Sequence, residues 1–221
     1  MKYLIWNEAI MLKGYEFIKK LIALDIEFVV MGGWAVYFLT EYHMSKDIDL
    51  MIRDREFWKL KNYIMGLNGR EKTTNLPKTG FALDDVELDV YTESRSGLAI
   101  PVKDVFSKSY FLNIKGVNVL KPEVLLILKA AAEKERSETM KGFKDRCDML
   151  AILMRSKLDS VLLRHLSEKY GCKDAIGKDV TEQIAKIIKN SQREFEYVLQ
   201  KAIIPSKLKK LKKDLTAKIV T

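Results

Sequence analysis

Two cysteines, two histidines and four prolines are all that the 221-residue chain holds of these types. Cys147 and Cys172 stand alone, without a CxxC or Cys/His spacing, so there is no basis for a disulfide framework or a zinc site. Long apolar runs are equally scarce. The richest stretches, around residues 28–30 and 124–128, fall far short of the roughly 20 residues that cross a bilayer. The first residues carry neither the apolar segment nor the cleavage site of a signal peptide, and a cytoplasmic location is expected. Acid is the other shortage: 30 Asp and Glu stand against 39 Lys and Arg, a formal net charge of +9. That balance favours a polyanionic partner, either nucleic acid or nucleotide phosphates. With 48% hydrophobic residues, the chain is too apolar for disorder and long enough for one sizeable core or two small ones.

What is present begins with helical spacing. Asn7 is placed to cap a helix carrying Ile10, Met11, Phe17, Ile18, Leu21 and Ile22. Residues 26–31 form a short apolar run that reads as a buried strand and ends at Gly32-Gly33, with a helix from Trp34 to about Tyr42. Residues 48–52 read as a second strand. Asp54 is the expected cap of a helix with Phe57, Trp58, Leu60 and Ile64 on its apolar side, followed by a loop over 66–78. Strands are expected over 80–83 and 86–92, turning at Asp84-Asp85, and a hairpin over 111–120, folded at Lys115-Gly116. From there the pattern is helical: 122–136, 143–155, 158–170, 180–202 and 205–219. The expected architecture is α/β (α+β), a sheet flanked by helices over 1–120 followed by a helical C-terminal region over 121–221.

The chemistry gathers at two places. A glycine turn after a strand lets backbone N–H groups approach a phosphate, because no Cβ blocks the way; Gly32 and Gly33 are so placed. Thirteen residues on, Ser45-Lys46-Asp47-Ile48-Asp49-Leu50 puts Asp47 and Asp49 on one face of a strand, about 6.8 Å apart. Carboxylates so close repel unless a cation lies between them, and Mg²⁺ or Mn²⁺ accepts such hard oxygen ligands. A third carboxylate from a neighbouring strand would complete a two-metal arrangement. Leu88 and Val90 face the core, so Asp89 turns to the polar side and is the first choice; Glu87 shares that side and is the second. On this reading Asp47 and Asp49 hold the metal that carries a nucleoside triphosphate (NTP), while Asp89 helps hold a second metal and takes the proton from an attacking hydroxyl. Ser45 offers a hydroxyl to a phosphate oxygen.

Gly32-Gly33, the spacer, the segment 45–50 and then Asp89 together resemble the DNA polymerase beta nucleotidyltransferase superfamily. Residues from Lys129 through Arg136 to Lys144-Asp145-Arg146-Cys147-Asp148 are similar to the helical region of AbiEii-type nucleotidyltransferase-like proteins. The resemblance spans roughly residues 26–153. It implies a polymerase-beta-like sheet and transfer of a nucleoside monophosphate from an NTP to a hydroxyl, with Mg²⁺ and release of pyrophosphate. It also implies an acceptor on RNA, including transfer RNA, or on a cognate protein partner, and a place in a toxin–antitoxin system. His43 departs from the family, whose members often carry arginine there.

Each feature has a plainer alternative. Lys129 and Lys144 either reach the triphosphate or belong, with Arg136 and Asp148, to ion-paired helices. Trp34 reads as packing. Residues Ile204, Leu208, Leu211, Leu215 and Ile219 form an apolar stripe, with Lys207, Lys209, Lys210, Lys212 and Lys213 around it. This is an amphipathic helix packed on the body, or an electrostatic track for RNA. The protein as a whole reads as a transferase; the alternative is a non-catalytic nucleotide- or RNA-binding module with the same fold.

Overall fold

A computed structural model describes residues 8–171 and 180–220. Asn7 and Cys172 lie outside the described residues. The chain divides into two compact units, Met1–Leu120 and Lys121–Thr221.

The first unit runs α1 (Glu8–Ala23), β1 (Phe28–Met31), α2 (Gly32–Thr40), β2 (Asp47–Ile52), α3 (Asp54–Gly66), β3 (Arg70–Lys72), β4 (Thr79–Leu83), β5 (Val86–Tyr91), α4 (Val102–Ser107), β6 (Phe111–Ile114) and β7 (Val117–Leu120). Among its described residues, seven strands form one mixed sheet in the order β3-β4-β5-β2-β1-β7-β6. The central strand β2 runs antiparallel to β1 and parallel to β5. Alternation gives the sheet two chemically different faces. On one face Phe28, Val30, Ile48, Leu50, Ile52, Leu88 and Val90 are all buried. Helices cover that face: a Cβ at Gly14 of α1 would meet Ile48, and Phe57 of α3 lies against Phe81. Trp34 is buried there among Tyr15, Tyr37 and Phe38.

Several local expectations are corrected. Asp54 is not the cap of α3. Arg53 holds that position, while the Asp54 carboxylate accepts from the Ser94 N–H at 3.1 Å and hydroxyl at 2.9 Å. Trp58 is exposed, with the Lys61 ammonium 5.3 Å from its ring centroid. The loop expected over 66–78 contains β3, an edge strand of exposed charged residues and thus without apolar alternation. Helix α4 escapes the periodicity because it has only 6 residues. The hairpin β6–β7 turns at Lys115-Gly116, whose φ angles of 51° and 86° suit a tight turn matched to strand twist.

The second unit is helical: α5 (Pro122–Arg136), α6 (Met140–Arg155), α7 (Ser160–Tyr170), α8 (Val180–Asn190), α9 (Gln192–Leu199) and α10 (Pro205–Val220). Helix α6 starts three residues earlier than its apolar pattern suggests, because the Thr139 hydroxyl caps it by accepting from the Gly142 N–H. The single helix expected over 180–202 is two, bent at Ser191. Ile184, Ile188, Phe195 and Val198 keep helical spacing across the bend and are all buried, which is why the sequence conceals it. Helix α8 packs on α5 and α10, while α9 packs on α6.

Candidate active site

The other face of the sheet, where Val29 and Met51 are buried, also carries acid. In the parallel pairing of β2 and β5, Asp47 stands beside Glu87 and Asp49 beside Asp89. Register partners point to the same side, so four carboxylates share one patch on two central strands. This register brings Asp89 next to Asp49. The same alternation that buries Ile48, Leu50, Leu88 and Val90 turns the acids away from the core.

Strand β1 brings the glycine turn to the same place. Met31 pairs with Asp49, and the chain leaves the sheet at the next residue, Gly32, with φ of +64°. A Cβ on Gly32 would lie 2.1 Å from the Asp49 Oδ2 and 2.8 Å from its Cγ. The carboxylate therefore fills the room that the missing side chain leaves. Helix α2 starts here with no side-chain cap and no acid in its first turn. Its leading N–H groups lack intrahelical partners, and its dipole favours an anion. Gly33 follows and is buried, as is Ser45, two residues before β2.

Lysines offset the acids. The Lys72 ammonium lies 2.6 Å from Glu87 Oε2, and the Lys46 ammonium 3.2 Å from Glu87 Oε1. The hydrogen bond from Lys72 holds the Glu87 carboxyl below its ordinary range, against the upward pull of burial. Lys78, just before β4, binds Asp89 Oδ2 directly. Gly80 pairs with Asp89 across β4 and β5, and a Cβ there would meet Asp89 Oδ1 at 3.6 Å and the Lys72 Cβ at 3.3 Å. Among the described residues, no three His, Cys, Asp or Glu side chains close around a single point. The donors are nonetheless all carboxylate oxygens on one face beside a glycine turn, the chemistry a hard divalent cation takes.

His43 precedes this patch. Its Nδ1 lies 3.0 Å from the Met44 carbonyl oxygen, which only accepts, so a hydrogen bond there requires the tautomer protonated on Nδ1.

For Lys129 the structure shows the ion-paired alternative. Its ammonium contacts Asp148 at 2.6 Å and Asp145 at 3.1 Å, joining α5 to α6. Burial alone would lower its pKa, but the charges of Asp148 and Asp145 outweigh burial and hold it above the usual lysine range. Arg136 adds a second contact to Asp145 at 2.7 Å. Lys144 is half-buried on α6. Lys72, Lys78 and Gly80 had no signal in the sequence; strand pairing brings them to the acids, and brings Lys46 of the 45–50 segment to Glu87.

No known family profile matches the chain, and no curated protein matches it. Solved structures do share its fold. An antigenic nucleotidyltransferase-like protein from Paracoccidioides brasiliensis is 17% identical, with a TM-score of 0.55 over 91% of this chain and 97% of its own. The antibiotic-resistance factor ANT(2'')-Ia is 15% identical, with a TM-score of 0.53 over 72% of this chain and 91% of its own. The mixed α/β fold is thus that of nucleotidyltransferase-like proteins. Among the described residues, no helix is long and apolar enough to cross a membrane.

Proposed function

We propose that the chain is a metal-dependent nucleotidyltransferase that moves a nucleoside monophosphate from an NTP to a hydroxyl on RNA. The observation that carries this reading is the register of Asp49 with Asp89 beside the Gly32 turn. In this scheme the N–H groups at Gly32 and Gly33, with the Ser45 hydroxyl, grip the triphosphate. Asp47 and Asp49, with Asp89, would hold Mg²⁺ or Mn²⁺, which when bound supplies charge neutralisation at the phosphate oxygens. Asp89 takes the proton from the acceptor hydroxyl as its oxygen bonds to the α-phosphorus. The bond from that phosphorus to the bridging oxygen breaks, and pyrophosphate leaves.

The net charge of +9 and the exposed lysines of α10 favour an RNA acceptor, transfer RNA included, over a neutral one. A protein acceptor, with the chain acting as the toxin of a toxin–antitoxin pair in the cytoplasm, is the narrower version suggested by sequence resemblance. A second reading, a nucleotide- or RNA-binding module without chemistry, draws on the pairing of Lys78 with Asp89.

Incubation with each labelled NTP and Mg²⁺ or Mn²⁺, with total RNA and protein as acceptors, separates these readings. The expected result is label on RNA, lost at least about 100-fold in Asp49→Asn and Asp89→Asn. Both variants keep the side-chain shape, so their melting temperatures stay near that of the wild type. Triphosphate binding by calorimetry with no transfer to any acceptor would favour the binding module instead.

A further inference from the structure

We propose that Lys78 is a built-in competitor for the metal on Asp89, withholding that carboxylate until a triphosphate arrives to take the ammonium. The inference rests on the metal-site reading above and adds a control to it.

Four carboxylates face one side of β2 and β5, and three lysines answer them. The lysines are not equivalent. Lys46 and Lys72 both serve Glu87 and are well exposed, with side-chain accessibilities of 42% and 43%. Exposed pairs of this kind are screened by water and worth little. Lys78 has only 15% of its side chain accessible and sits on Asp89, itself 28% accessible. Its ammonium also lies 5.8 Å from the centroid of the Tyr91 ring, which shields it on another side. Partial burial strengthens this pair relative to its neighbours.

The pair also bears on the acidic patch. Asp49 and Asp89 are register partners, yet no three acidic side chains among the described residues close around one point. One oxygen of Asp89 is already committed to a cation that the protein supplies itself. A divalent ion bridging Asp49 and Asp89 would place two positive charges beside the Lys78 ammonium, and like charges at that range repel. Lys78 must then leave. It stands at the end of the 66–78 segment, immediately before β4, on a flexible four-carbon stem. Gly80, two residues on, has no side chain to crowd Asp89 from that strand. The displaced ammonium needs an anion, and triphosphate oxygens at the neighbouring glycine turn provide one. Metal and triphosphate therefore bind with positive coupling, and the coupling runs through one side chain.

Mn²⁺ binding, read by electron paramagnetic resonance with and without a non-hydrolysable NTP, tests this apart from turnover. In the wild type the triphosphate is expected to tighten Mn²⁺ binding about tenfold or more. Lys78→Gln is expected to tighten nucleotide-free Mn²⁺ binding about five- to tenfold and to shrink the coupling to within about twofold. Lys78→Arg keeps the charge and should behave as the wild type, which controls for changes in folding. Adding Asp89→Asn to Lys78→Gln should erase the gain.

If Lys78→Gln leaves nucleotide-free Mn²⁺ affinity unchanged while Asp49→Asn abolishes it, the competitor role is overturned and the metal site stands. If Asp47→Asn and Asp49→Asn leave Mn²⁺ affinity unaltered, the metal-site reading fails and takes this proposal with it.

Discussion

Asp49 occupies the space that a side chain on Gly32 would need: the position of that Cβ lies 2.1 Å from Asp49 Oδ2. Two elements far apart in kind, a helix start and a strand centre, are thereby locked to each other. The backbone at Gly32 has φ of +64°, where L-residues are strained, so glycine is required twice over.

A substitution series follows from that contact. Gly32→Ala should lower stability by about 1–2 kcal/mol for the left-handed backbone, and more as Asp49 is pushed aside. It should also abolish nucleotide binding measured by calorimetry. Gly116 gives the control, since its φ is +86° and a Cβ added there would have no atom within 4 Å. Gly116→Ala should cost about the same 1–2 kcal/mol of backbone strain and leave nucleotide binding intact. Equal binding losses in the two variants would refute the contact's role.

Lys129 carries a stability prediction rather than a catalytic one. Its ammonium faces Asp145 and Asp148, both almost fully buried. Lys129→Ala removes the ammonium from between two buried carboxylates, with Arg136 remaining on Asp145, and should destabilise the protein by about 3–5 kcal/mol in chemical denaturation. A loss below about 1 kcal/mol would mean that the network adds little to the second unit.

Glu123 sets a pH dependence. Burial raises its pKa above the ordinary 4.5, although the Asp159 N–H donates to it at 2.6 Å. Between the ordinary value and the raised one, the folded protein keeps a proton that the unfolded chain has lost. Stability from this group is therefore full below 4.5 and falls as pH rises through the raised value. Glu123→Gln keeps an acceptor for the Asp159 N–H and should flatten that part of the stability–pH curve. An unchanged slope in urea titrations at successive pH values would contradict the assignment.

The basic face of α10 predicts a salt response. Leu208, Leu215 and Ile219 are buried while Lys209, Lys210 and Lys213 are exposed. If these lysines touch phosphates of single-stranded RNA, replacing all three by glutamine should reduce the slope of log affinity against log salt by about 0.7 per lysine. Filter binding over a salt series measures it. An unaltered slope would place the RNA elsewhere.

How much of this was legible in one dimension depends on the range of the interaction. Helix α5 and the hairpin turn at Lys115-Gly116 follow from spacing and turn chemistry, because both are decided by residues a few positions apart. The bend at Ser191 was hidden because the apolar positions keep their helical spacing through it. The edge strand β3 was hidden because a strand exposed on both sides has no pattern to read.

The sequence alone determined that Asp47 and Asp49 share a face and that Asp89 turns away from the core, because strand alternation is a property of the backbone. It also set glycine at the end of β1. Tertiary structure alone decided that Asp89 stands beside Asp49, that Lys78 binds it, and that Lys129 pairs with two buried aspartates. Strand register and ion pairing join residues from 11 to 40 positions apart, and no periodicity within a segment encodes which segment will lie next to it.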